Sequence, residues 1–563
     1  MDRVGRSRRR EVAAGAVSGL LAGLLVGPVA AYSGMMRAAP MAPGWLLFGV
    51  YATITGVVLG AIARQRRPAP MVAAGLLIGL LAWVGWTLTV EPLLHGQLPN
   101  WSARAAADGY RALVADSLHG ALTGALLYWL SDLVRVPGPP VLETVGRRVV
   151  VVGGGFAGVA AAQRLEDHAA RGRPFDVTIL SDSNYLLFTP MLAEVAGGAL
   201  EAQHITAPVR AACPRTRFVK DRAETADLEH RLVRTAKGAA LPYDHLVLAV
   251  GAVPHFFDLP GVAEHAFTLK SLGAATALRD HVLGLLEQAE AEPDKGRRAG
   301  SLTFVVAGGG FAGTETIAEL FDLVHGVLHF YPRLDPGEPR FVLAHPGARI
   351  LPELSAELGA YALDRLQARG IEFRLGTRVA SANAQAVRLL DGTVISTQTL
   401  VWTAGNRPSP LIQRLPIVKG KGGTVITDGS LKVIGAEGVW AVGDCAQIPT
   451  SDGFTHPPTA QHAVREGRTV ADNIAAVTAG REPSPFRFRT RGTLVALGHR
   501  TACAEIRGRR FSGLAAWLLW RGIYLAKLPG LEKRLRVLFD WLLDLGFPRD
   551  ITVTTPLPVK EQV

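Results

Sequence analysis

The chain begins with four long apolar stretches, after which short apolar runs alternate with amphipathic segments. Glycines recur at four-residue steps in the first stretch, where they would let helices pack closely. Each stretch is near the length of about 20 residues that a transmembrane helix requires. The pattern predicts a transmembrane four-helix bundle within residues 1–140, and its spans are Val12 to Ala31, Trp45 to Ala63, Met71 to Val90 and about Leu113 to Leu133.

Arginines cluster on one side of this predicted bundle. They run from Arg3 to Arg10 before the first stretch and stand at 64, 66 and 67 between the second and third. Because loops rich in Lys and Arg usually stay in the cytoplasm, we expect a multi-pass protein of the cell (inner) membrane whose later domains face the cytoplasm. A cleaved signal peptide over residues 1–31 is the alternative to the first span. Asp116 and His119 would share one face of the fourth helix, either for a function or at the headgroup level.

Composition narrows the class of partner. The chain has 563 residues, enough for several domains, and a net charge of +12. Because the arginines flank apolar stretches, we assign this charge to a lipid bilayer surface and expect no nucleic acid partner. Cys213, Cys445 and Cys503 form no close pair, so we expect neither a disulfide framework nor a metal site.

A strand, a glycine-rich turn and a helix follow a proline-rich linker at 137–140. The apolar run that ends at Val152 leads into Gly153, Gly155 and Gly158. In such units the first glycine permits a tight turn, the second lets a pyrophosphate approach the backbone, and the third allows close helix packing. This segment therefore predicts a dinucleotide site.

A second copy of the unit follows, with Gly308, Gly310 and Gly313 after the apolar run Leu302 to Ala307. Two such units in one chain predict an α/β fold with two Rossmann-like dinucleotide-binding domains, preceded by the all-α bundle. They also suggest that one dinucleotide hands electrons to another.

Two further predicted strands end in glycine turns, one at Gly251 and the other at Gly443, which precedes Asp444. A glycine lets the backbone come close to a ligand, and an acidic side chain beyond it can accept hydrogen bonds from ligand hydroxyls. An ordinary hairpin and a helix cap are the alternatives.

In their order, the motifs resemble type II NADH dehydrogenase, the single-subunit NADH:quinone oxidoreductase of the two-dinucleotide-binding-domain flavoproteins. The resemblance spans about residues 147–555 and is carried by Asn184 to Ala196, Val401 to Gly405, Gly443-Asp444, Pro457 to Ala463 and Trp520 to Gly530. It implies hydride transfer from NADH to FAD and electron transfer to a membrane quinone, without proton pumping. It also implies an FAD domain split between 147–265 and 396–475, an NAD(P)H domain over 270–395 and a membrane-facing tail over 476–563.

The resemblance assigns roles to particular residues. It places Asp444 near the ribityl chain of FAD, Pro190 near the flavin ring, Glu315 at the nicotinamide and flavin site, and Gln461 at the quinone end of the flavin. Arg465 stands where the family usually has another glutamine. The dipole of the second glycine-turn helix would by itself account for Glu315.

Ribose recognition departs from the usual pattern in both units. An acid normally ends the second strand of a dinucleotide-binding unit. In the first unit Asp182 is displaced by one position because Ser181 takes that place, and in the second unit His345 takes it, with Arg349 nearby. Since no carboxylate would repel a 2′-phosphate, NADPH stays open as a substrate beside NADH.

Other flavoproteins of related chemistry are alternatives to a type II NADH dehydrogenase. A flavin-linked disulfide reductase carries a cysteine pair on the helix after the first glycine turn, where this chain has alanines at 160–162, so that chemistry is excluded. A sulfide:quinone reductase also needs cysteines beside the flavin. Another NAD(P)H-dependent flavoprotein reductase and a non-catalytic membrane redox sensor remain alternatives, because binding motifs do not prove turnover.

The C-terminal segment is apolar and amphipathic. Phe511 to Leu528 contains Trp517 and Trp520, and Leu531 to Leu545 repeats leucine at three- and four-residue steps beside basic residues at 533, 534 and 536. This pattern is typical of helices that lie in a membrane interface. The expected partners are therefore the lipid bilayer and a membrane quinone, and a core helix or a homodimer interface is the alternative.

Overall fold

We describe the protein from a computed structural model. It describes residues 13–26, 42–62, 68–85, 110–130, 146–172 and 175–553, together with single residues between 88 and 101. The chain divides into two compact units, Met1–Pro137 and Gly138–Val563. Each unit is considered by itself.

Glycine contacts join the helices of the N-terminal unit. A Cβ on Gly15 would lie 2.2 Å from the carbonyl oxygen of Gly56, and a Cβ on Gly75 would lie 2.0 Å from that of Gly120. Side chains larger than hydrogen would therefore separate these helices. The helices of this unit are α1 (13–26), α2 (Ala42–Ile62), α3 (Pro68–Gly85) and α4 (Tyr110–Leu130).

Asp116 and His119 both face other helices of this unit. The Asp116 carboxylate accepts a hydrogen bond from the Tyr51 hydroxyl at 3.0 Å, and a ring nitrogen of His119 lies 3.1 Å from the carbonyl oxygen of Gly19. His119 is buried, and whether these two residues have a function stays a prediction.

Among the described residues, no helix is both long enough and apolar enough to cross a membrane. The structure therefore does not support the predicted four-helix transmembrane bundle or a multi-pass localisation. In α4 the polar residues Asp116, Ser117 and His119 interrupt the apolar run. Parts of the predicted stretches, at 12, 27–31, 63, 86–87, 90 and 131–133, lie outside the described residues.

The second unit alternates strands and helices. From 146 to 265 its strands are β1 (Arg147–Val152), β2 (Phe175–Ser181), β3 (Tyr185–Leu187), β4 (Thr206–Pro208), β5 (Arg217–Lys220), β6 (Ala223–Asp227), β7 (Leu232–Thr235), β8 (Ala240–Pro242), β9 (His245–Leu248) and β10 (Ala252–Pro254). The helices of this part are α5 (Phe156–Ala169), α6 (Leu192–Ala196), α7 (Val209–Ala212) and α8 (Val262–His265).

The middle part has the strands β11 (Ala266–Thr268), β12 (Thr303–Ala307), β13 (Arg340–His345), β14 (Glu372–Leu375), β15 (Val379–Ala382), β16 (Ala386–Leu389), β17 (Val394–Ser396) and β18 (Thr399–Trp402). Its helices are α9 (Leu272–Ala291), α10 (Lys295–Arg298), α11 (Phe311–Val327) and α12 (Ala356–Ala368).

The last part has the strands β19 (Asn406–Pro408), β20 (Val425–Ile426), β21 (Val439–Ala441), β22 (Ala446–Gln447), β23 (Gly492–Ala496), β24 (Ala502–Ile506) and β25 (Arg509–Ser512). Its helices are α13 (Pro410–Arg414), α14 (Ala460–Thr478), α15 (Gly513–Lys527) and α16 (Leu531–Asp544). Single 3-10 turns lie at Thr189–Met191, Ala202–Ile205, Leu328–Phe330, Lys421–Gly423 and Gly443–Cys445.

Two five-stranded parallel sheets organise the second unit. The first has the order β21-β9-β1-β2-β5 and the second has the order β11-β18-β12-β13-β14. Strands buried on both faces require continuous apolar residues, which explains why β1 and β12 read as unbroken valine-rich runs. The predicted α/β fold is confirmed in this unit.

Chain order and sheet order differ at two strands. β21 completes the first sheet although it follows the whole second sheet in the chain, and β18 lies in the second sheet although its residues fall beyond the expected limit at 395. The strands β10 and β19 pair antiparallel, so the segment that leads from the first sheet to the second lies beside the segment that leads back. Contacts between distant segments therefore define the first sheet.

The C-terminal strands and helices pack on the second sheet's side of the unit. β23, β24 and β25 form an antiparallel sheet, and α15 packs against β24. Trp520 and Trp541 are almost fully buried in the same apolar cluster as Phe304 and Phe341 of the second sheet. Part of the predicted tail is therefore core.

Candidate active site

In the first glycine turn, the backbone is closely packed at Gly153 and Gly158 but leaves space at Gly155. A Cβ on Gly153, whose φ is 115°, would lie 2.2 Å from the carbonyl oxygen of Ala249, and one on Gly158 would lie 2.0 Å from that of Gly153. A Cβ on Gly155 would meet no atom of the described residues within 4 Å. Open space therefore lies in front of Gly155 at the N-terminus of α5, where backbone N–H groups attract phosphate.

The second glycine turn repeats this geometry. Gly308 has a φ of 116°, a Cβ on Gly313 would lie 1.9 Å from the Gly308 oxygen, and Gly310 has the same φ and ψ as Gly155. Only the carboxylate of Glu353 stands near Gly310, at 3.1 Å from the position of a Cβ. Both predicted dinucleotide turns therefore have the backbone that a pyrophosphate needs.

The carboxyl ends of β1, β9 and β21 meet at one edge of the first sheet. Gly251 and Gly443 both have positive φ there, and within the part of the chain that the structure describes a Cβ on Gly251 would meet no atom within 4 Å. The N–H of Gly443 donates to the Glu466 carboxylate at 2.7 Å. This edge brings Gly153, Gly251 and Gly443 together around the space that the first turn leaves open.

Asp444 and Lys270 flank the same edge with opposite charges. Burial raises the pKa of Asp444 and lowers that of Lys270, while the attraction between the two groups opposes both shifts. Lys270 nevertheless exposes a large part of its surface to solvent.

Asp182 and Pro190 lie on the chain that follows β2. Ser181, not Asp182, faces the first glycine turn, since a Cβ on Gly154 would lie 2.9 Å from the Ser181 hydroxyl oxygen. Asp182 is exposed beside it. Pro190 lies in the 3-10 turn that follows Phe188. The ribose role of Asp182 stays a prediction.

Glu315 lies in the first turns of α11 and faces the C-terminal sheet. Its carboxylate accepts a hydrogen bond from the backbone N–H of Ala496 at 3.1 Å. The pKa of Glu315 is raised to about 8, mainly by burial and also by the carboxylate of Glu319, while the N–H of Ala496 and the indole of Trp520 oppose the rise. Glu315 is half-buried, and its role beside the dinucleotides stays a prediction.

Aromatic rings connect Glu315 with the first glycine turn. Phe156, which begins α5, packs against Phe188 at 5.8 Å between ring centroids, and Phe188 packs against Tyr524 of α15 at 6.0 Å. Burial and the charge of Glu315 raise the pKa of Tyr524. The structure therefore brings Glu315 from the second dinucleotide unit to the side of the first one.

Gln461 begins α14 and is half-buried. Its amide donates to the carbonyl oxygen of Gly492 at 3.3 Å, and the Arg465 guanidinium lies over the ring of Phe488. Burial lowers the pKa of Lys527 in α15, and the nearby Arg465 lowers it further. Gln461 and the end of α15 therefore border the same region of the second unit.

The motif analysis missed several buried charged residues. Glu466 is among them, and burial raises its pKa to about 7. Four more lie between the helices α6, α11 and α15 and the chain end, and they are Glu194, Glu319, Arg521 and Arg549. Glu194 and Arg521 stand within segments that carry the family resemblance, whereas no local pattern predicts that Glu319, Glu466 and Arg549 are largely buried.

The three cysteines lie apart and are all buried. Their thiols face the backbone oxygens of Val159, Leu248 and Leu358, respectively. Burial raises the pKa of Cys445 and of Cys503 to about 12 and raises that of Cys213 as well. This arrangement opposes the sulfide:quinone alternative, which needs reactive cysteines together at the flavin.

Comparison with known proteins defines the class. The family model of pyridine nucleotide-disulphide oxidoreductases matches residues 147–467, more than half of the chain, and that of the NDH2 C-terminal domain matches residues 491–550. The chain therefore belongs to the pyridine nucleotide-disulphide oxidoreductase family.

Among curated proteins, the chain is 32% identical over 415 residues to the type II NADH:quinone oxidoreductase Ndh of Mycobacterium tuberculosis, covering 70% of this chain and 87% of that protein. It is 28% identical to a type II NADH:quinone oxidoreductase of Staphylococcus aureus, covering 66% of this chain and 92% of that one. The fold is similar to that of NDH2 from Plasmodium falciparum in complex with NADH, with a TM-score of 0.66, 19% identity, and coverage of 72% and 99% of the two chains. The chain belongs to the type II NADH:quinone oxidoreductase family.

Proposed function

We propose that this protein oxidises NADH and reduces a membrane quinone through FAD, with FAD on the first glycine turn and NADH on the second. Family membership supports the overall reaction. The observation that carries the assignment is the position of Glu315, which comes from the second dinucleotide unit yet contacts Ala496 and lies beside Tyr524, near the aromatic path to the first unit. A carboxyl group at this position can act on the hydride transfer between the second and the first dinucleotide unit.

The residues of the first unit fit FAD. The open space before Gly155 and Gly251 admits a pyrophosphate and its neighbours, and Asp444 lies at the same edge as an acceptor for ribityl hydroxyls. Pro190 and Tyr524 would flank the flavin ring. Bound FAD supplies the two-electron chemistry, and the protein supplies binding and orientation. Gly310 and the N-terminus of α11 would hold the pyrophosphate of the nicotinamide dinucleotide.

An exposed apolar surface favours a quinone in a bilayer as the acceptor. The outer faces of α15 and α16 expose Leu514, Leu518, Phe539, Leu542 and Leu543, each by more than half. Lys533 and Arg536 lie on the same helix as the last three. Exposed leucines and phenylalanine beside basic residues favour the surface of an anionic membrane. These helices would seat the second unit on the bilayer, with Gln461 and Lys527 on the quinone's path.

We also propose limits for the two domains and a role for the exposed apolar face. The FAD domain comprises the first parallel sheet, to which β21 returns, and the NAD(P)H domain comprises the second, extended to include β18. The same exposed face would otherwise serve as a homodimer interface. We favour the membrane because the face combines apolar and basic side chains.

Anaerobic spectroscopy of the purified protein tests the reaction. NADH should bleach the flavin absorbance, and a quinone added afterwards should restore it. A non-catalytic redox sensor would be bleached slowly or would not be reoxidised by quinone. Absence of bound flavin, or of either spectral change, would contradict the proposal.

A further inference from the structure

The end of β13 presents a neutral ring where a dinucleotide site normally has a carboxylate. The Nδ1 atom of His345 accepts the N–H of Gly309 at 3.0 Å, and a Cβ on Gly347 would lie 2.8 Å from its Nε2 atom. Burial lowers the pKa of His345, so the ring is neutral at neutral pH. His345 therefore carries no charge that would distinguish a ribose from a ribose with a 2′-phosphate.

The loop between β13 and α12, residues 346–355, returns to the same glycine turn. The backbone N–H of Leu351 donates to the carbonyl oxygen of Gly309 at 2.7 Å. Leu351 has a φ of 50° and is fully buried, as is Ile350 before it. A left-handed backbone is unfavourable for leucine and persists only where the surrounding structure holds it. Tertiary contacts therefore fix the path of this loop beside the turn.

This path places the carboxylate of Glu353 in front of the turn. One of its oxygens lies 3.1 Å from the position of a Cβ on Gly310. Glu353 is exposed, so its oxygens can accept hydrogen bonds from a ligand. Gly310 is the glycine at which a pyrophosphate approaches the backbone, and the adenosine ribose of a dinucleotide is attached directly to that pyrophosphate. The long side chain can therefore give way to the pyrophosphate and still reach the ribose beside it.

Arg349, the cation of this loop, binds the loop itself. Its Nη1 atom donates to the carbonyl oxygen of Leu354 at 3.1 Å, and its Nη2 atom donates to that of Pro352 at 2.9 Å. These two residues flank Glu353 in the chain. The guanidinium is therefore directed at the backbone on both sides of Glu353, whereas the Glu353 carboxylate faces the glycine turn.

We propose that Glu353 binds the adenosine ribose of NADH and makes the protein prefer NADH to NADPH. The inference rests on the proposed function, which places NADH on the second glycine turn. The carboxylate accepts hydrogen bonds from the ribose hydroxyls and repels a 2′-phosphate, as an acid at the end of the second strand does in other dinucleotide sites. In this chain the carboxylate comes from the following loop, and the neutral ring of His345 occupies the usual place.

Glu353→Gln tests the specificity, because the amide keeps the length of the side chain and removes its charge. The measurement is the bleaching of the bound flavin in the purified protein by NADPH and by NADH, each at subsaturating concentration. The ratio of the NADPH rate constant to the NADH rate constant should rise on the order of tenfold in the variant. The bleaching rate at saturating NADH should stay unchanged, since the adenosine ribose is remote from the nicotinamide. An unchanged ratio would overturn the proposal.

An NADH analogue that lacks the adenosine 2′-hydroxyl tests the hydrogen bond itself. The wild-type flavin should be bleached by this analogue on the order of tenfold less efficiently than by NADH. Glu353→Ala should react with the two compounds almost equally, because the variant has no carboxylate whose hydrogen bond could be lost. No loss in the wild type, or an equal loss in both proteins, would place the ribose away from Glu353 and overturn the proposal.

Glu357→Gln is the matched control. Glu357 is likewise an exposed glutamate, in the first turn of α12, but its carboxylate pairs with Arg510. It should leave both comparisons unchanged. Glu353 also stands near the N-terminus of α11, where a carboxylate interacts favourably with the helix dipole. A lower Tm of Glu353→Gln with an unchanged ratio of rate constants would show that the dipole is its only partner, and would overturn the proposal.

Calorimetry gives a readout that does not depend on the flavin. ADP-ribose should bind the wild-type protein more tightly than ADP-ribose 2′-phosphate does, and the difference in Kd should shrink on the order of tenfold in Glu353→Gln. The same difference in both proteins would also overturn the proposal. Failure of NADH to bleach the wild-type flavin would instead contradict the proposed function, and calorimetry would still report whether Glu353 selects the ribose.

Discussion

Arg549 pairs with Glu319 inside the second unit, with its Nη2 atom 3.1 Å from the Glu319 carboxylate. The same guanidinium donates to the carbonyl oxygen of Gly197 at 2.6 Å, and a Cβ on Gly197 would lie 2.7 Å from the Glu319 carboxylate. Through this contact the end of the chain is joined to α11 and to the segment after α6. The C-terminal segment is therefore part of the folded core as well as a candidate membrane surface.

Arg549→Ala should destabilise the protein strongly, because it leaves the Glu319 and Asp544 carboxylates buried without their cation. We expect a loss of about 3 to 5 kcal/mol in the free energy of unfolding, measured by urea denaturation. Arg536→Ala removes an exposed ion pair with Glu532 and should cost only about 0.3 to 0.5 kcal/mol. Equal losses in the two variants would contradict the buried role of Arg549.

Gly155→Leu should yield protein without flavin, because its side chain would fill the open space where the pyrophosphate approaches the backbone. Gly310→Leu is the matched variant in the second unit. It should purify yellow, with full flavin occupancy, yet bleach slowly with NADH. A Gly155→Leu protein with full flavin occupancy would place FAD elsewhere.

Glu315→Gln should slow one flavin half-reaction roughly tenfold while FAD occupancy stays unchanged. The variant removes an ionisable group from the site and keeps its shape. Stopped-flow measurement of bleaching by NADH and of reoxidation by quinone separates the two steps. Unchanged rates in both steps would leave only the interaction with the helix dipole.

The same variant has a predicted effect on stability. Glu315 has a pKa of about 8 in the folded protein, above its ordinary value of 4.5, so between these values the folded state keeps a proton that the unfolded state has lost. The contribution of Glu315 to stability therefore falls as pH rises through this window. The Tm of Glu315→Gln relative to wild type should be higher at pH 8 than at pH 5, by a few degrees. An equal difference at both pH values would show that the carboxyl group is solvated.

Membrane docking can be tested at the outer face of α16. Deleting residues 511–563 would also remove the buried Trp520 and Arg549, so a surface substitution is the cleaner test. The double variant Phe539→Glu with Leu542→Glu should lower liposome binding and the reduction of a long-tailed quinone by roughly tenfold or more, since each buried apolar side chain contributes about 1.5 to 3 kcal/mol. Ferricyanide reduction should persist.

Leu390→Glu is the control for added charge, because Leu390 is an exposed leucine elsewhere in the second unit. It should leave liposome binding and quinone reduction unchanged. Undiminished turnover of long-tailed quinone in the double variant would make a homodimer interface the better assignment of this face, and the mass of the protein in solution would report it.

His345→Asp should increase the preference for NADH over NADPH. His345 ends β13, and its Nδ1 atom accepts the N–H of Gly309 at 3.0 Å, so the ring stands at the position that normally carries the ribose-binding acid. A carboxylate there would repel a 2′-phosphate. We expect the ratio of kcat/KM for NADPH to that for NADH to be lower in the variant than in the wild type, on the order of tenfold. No change in the ratio would place the ribose elsewhere.

The sequence by itself determined the features that depend on local order. In both glycine turns, the strand, the three glycine positions and the helix are neighbours in the chain, so their spacing predicts their geometry. Gly153 and Gly308 adopt the positive φ that such a turn requires. The family resemblance drew on the same kind of local motif, and the comparisons confirmed it.

Tertiary structure alone decided the surroundings of those motifs. The return of β21 to the first sheet, the placement of β18 in the second, and the ion pair of Arg549 with Glu319 all join segments that lie far apart in the chain. In α16, periodicity shows that one face is apolar but not whether lipid or protein covers it, and the structure buries Trp541 while exposing Leu542. The burial and the pKa of a side chain depend on contacts with residues that are distant in the sequence, such as the contact of Arg549 with Glu319. The local spacing of residues does not predict those contacts.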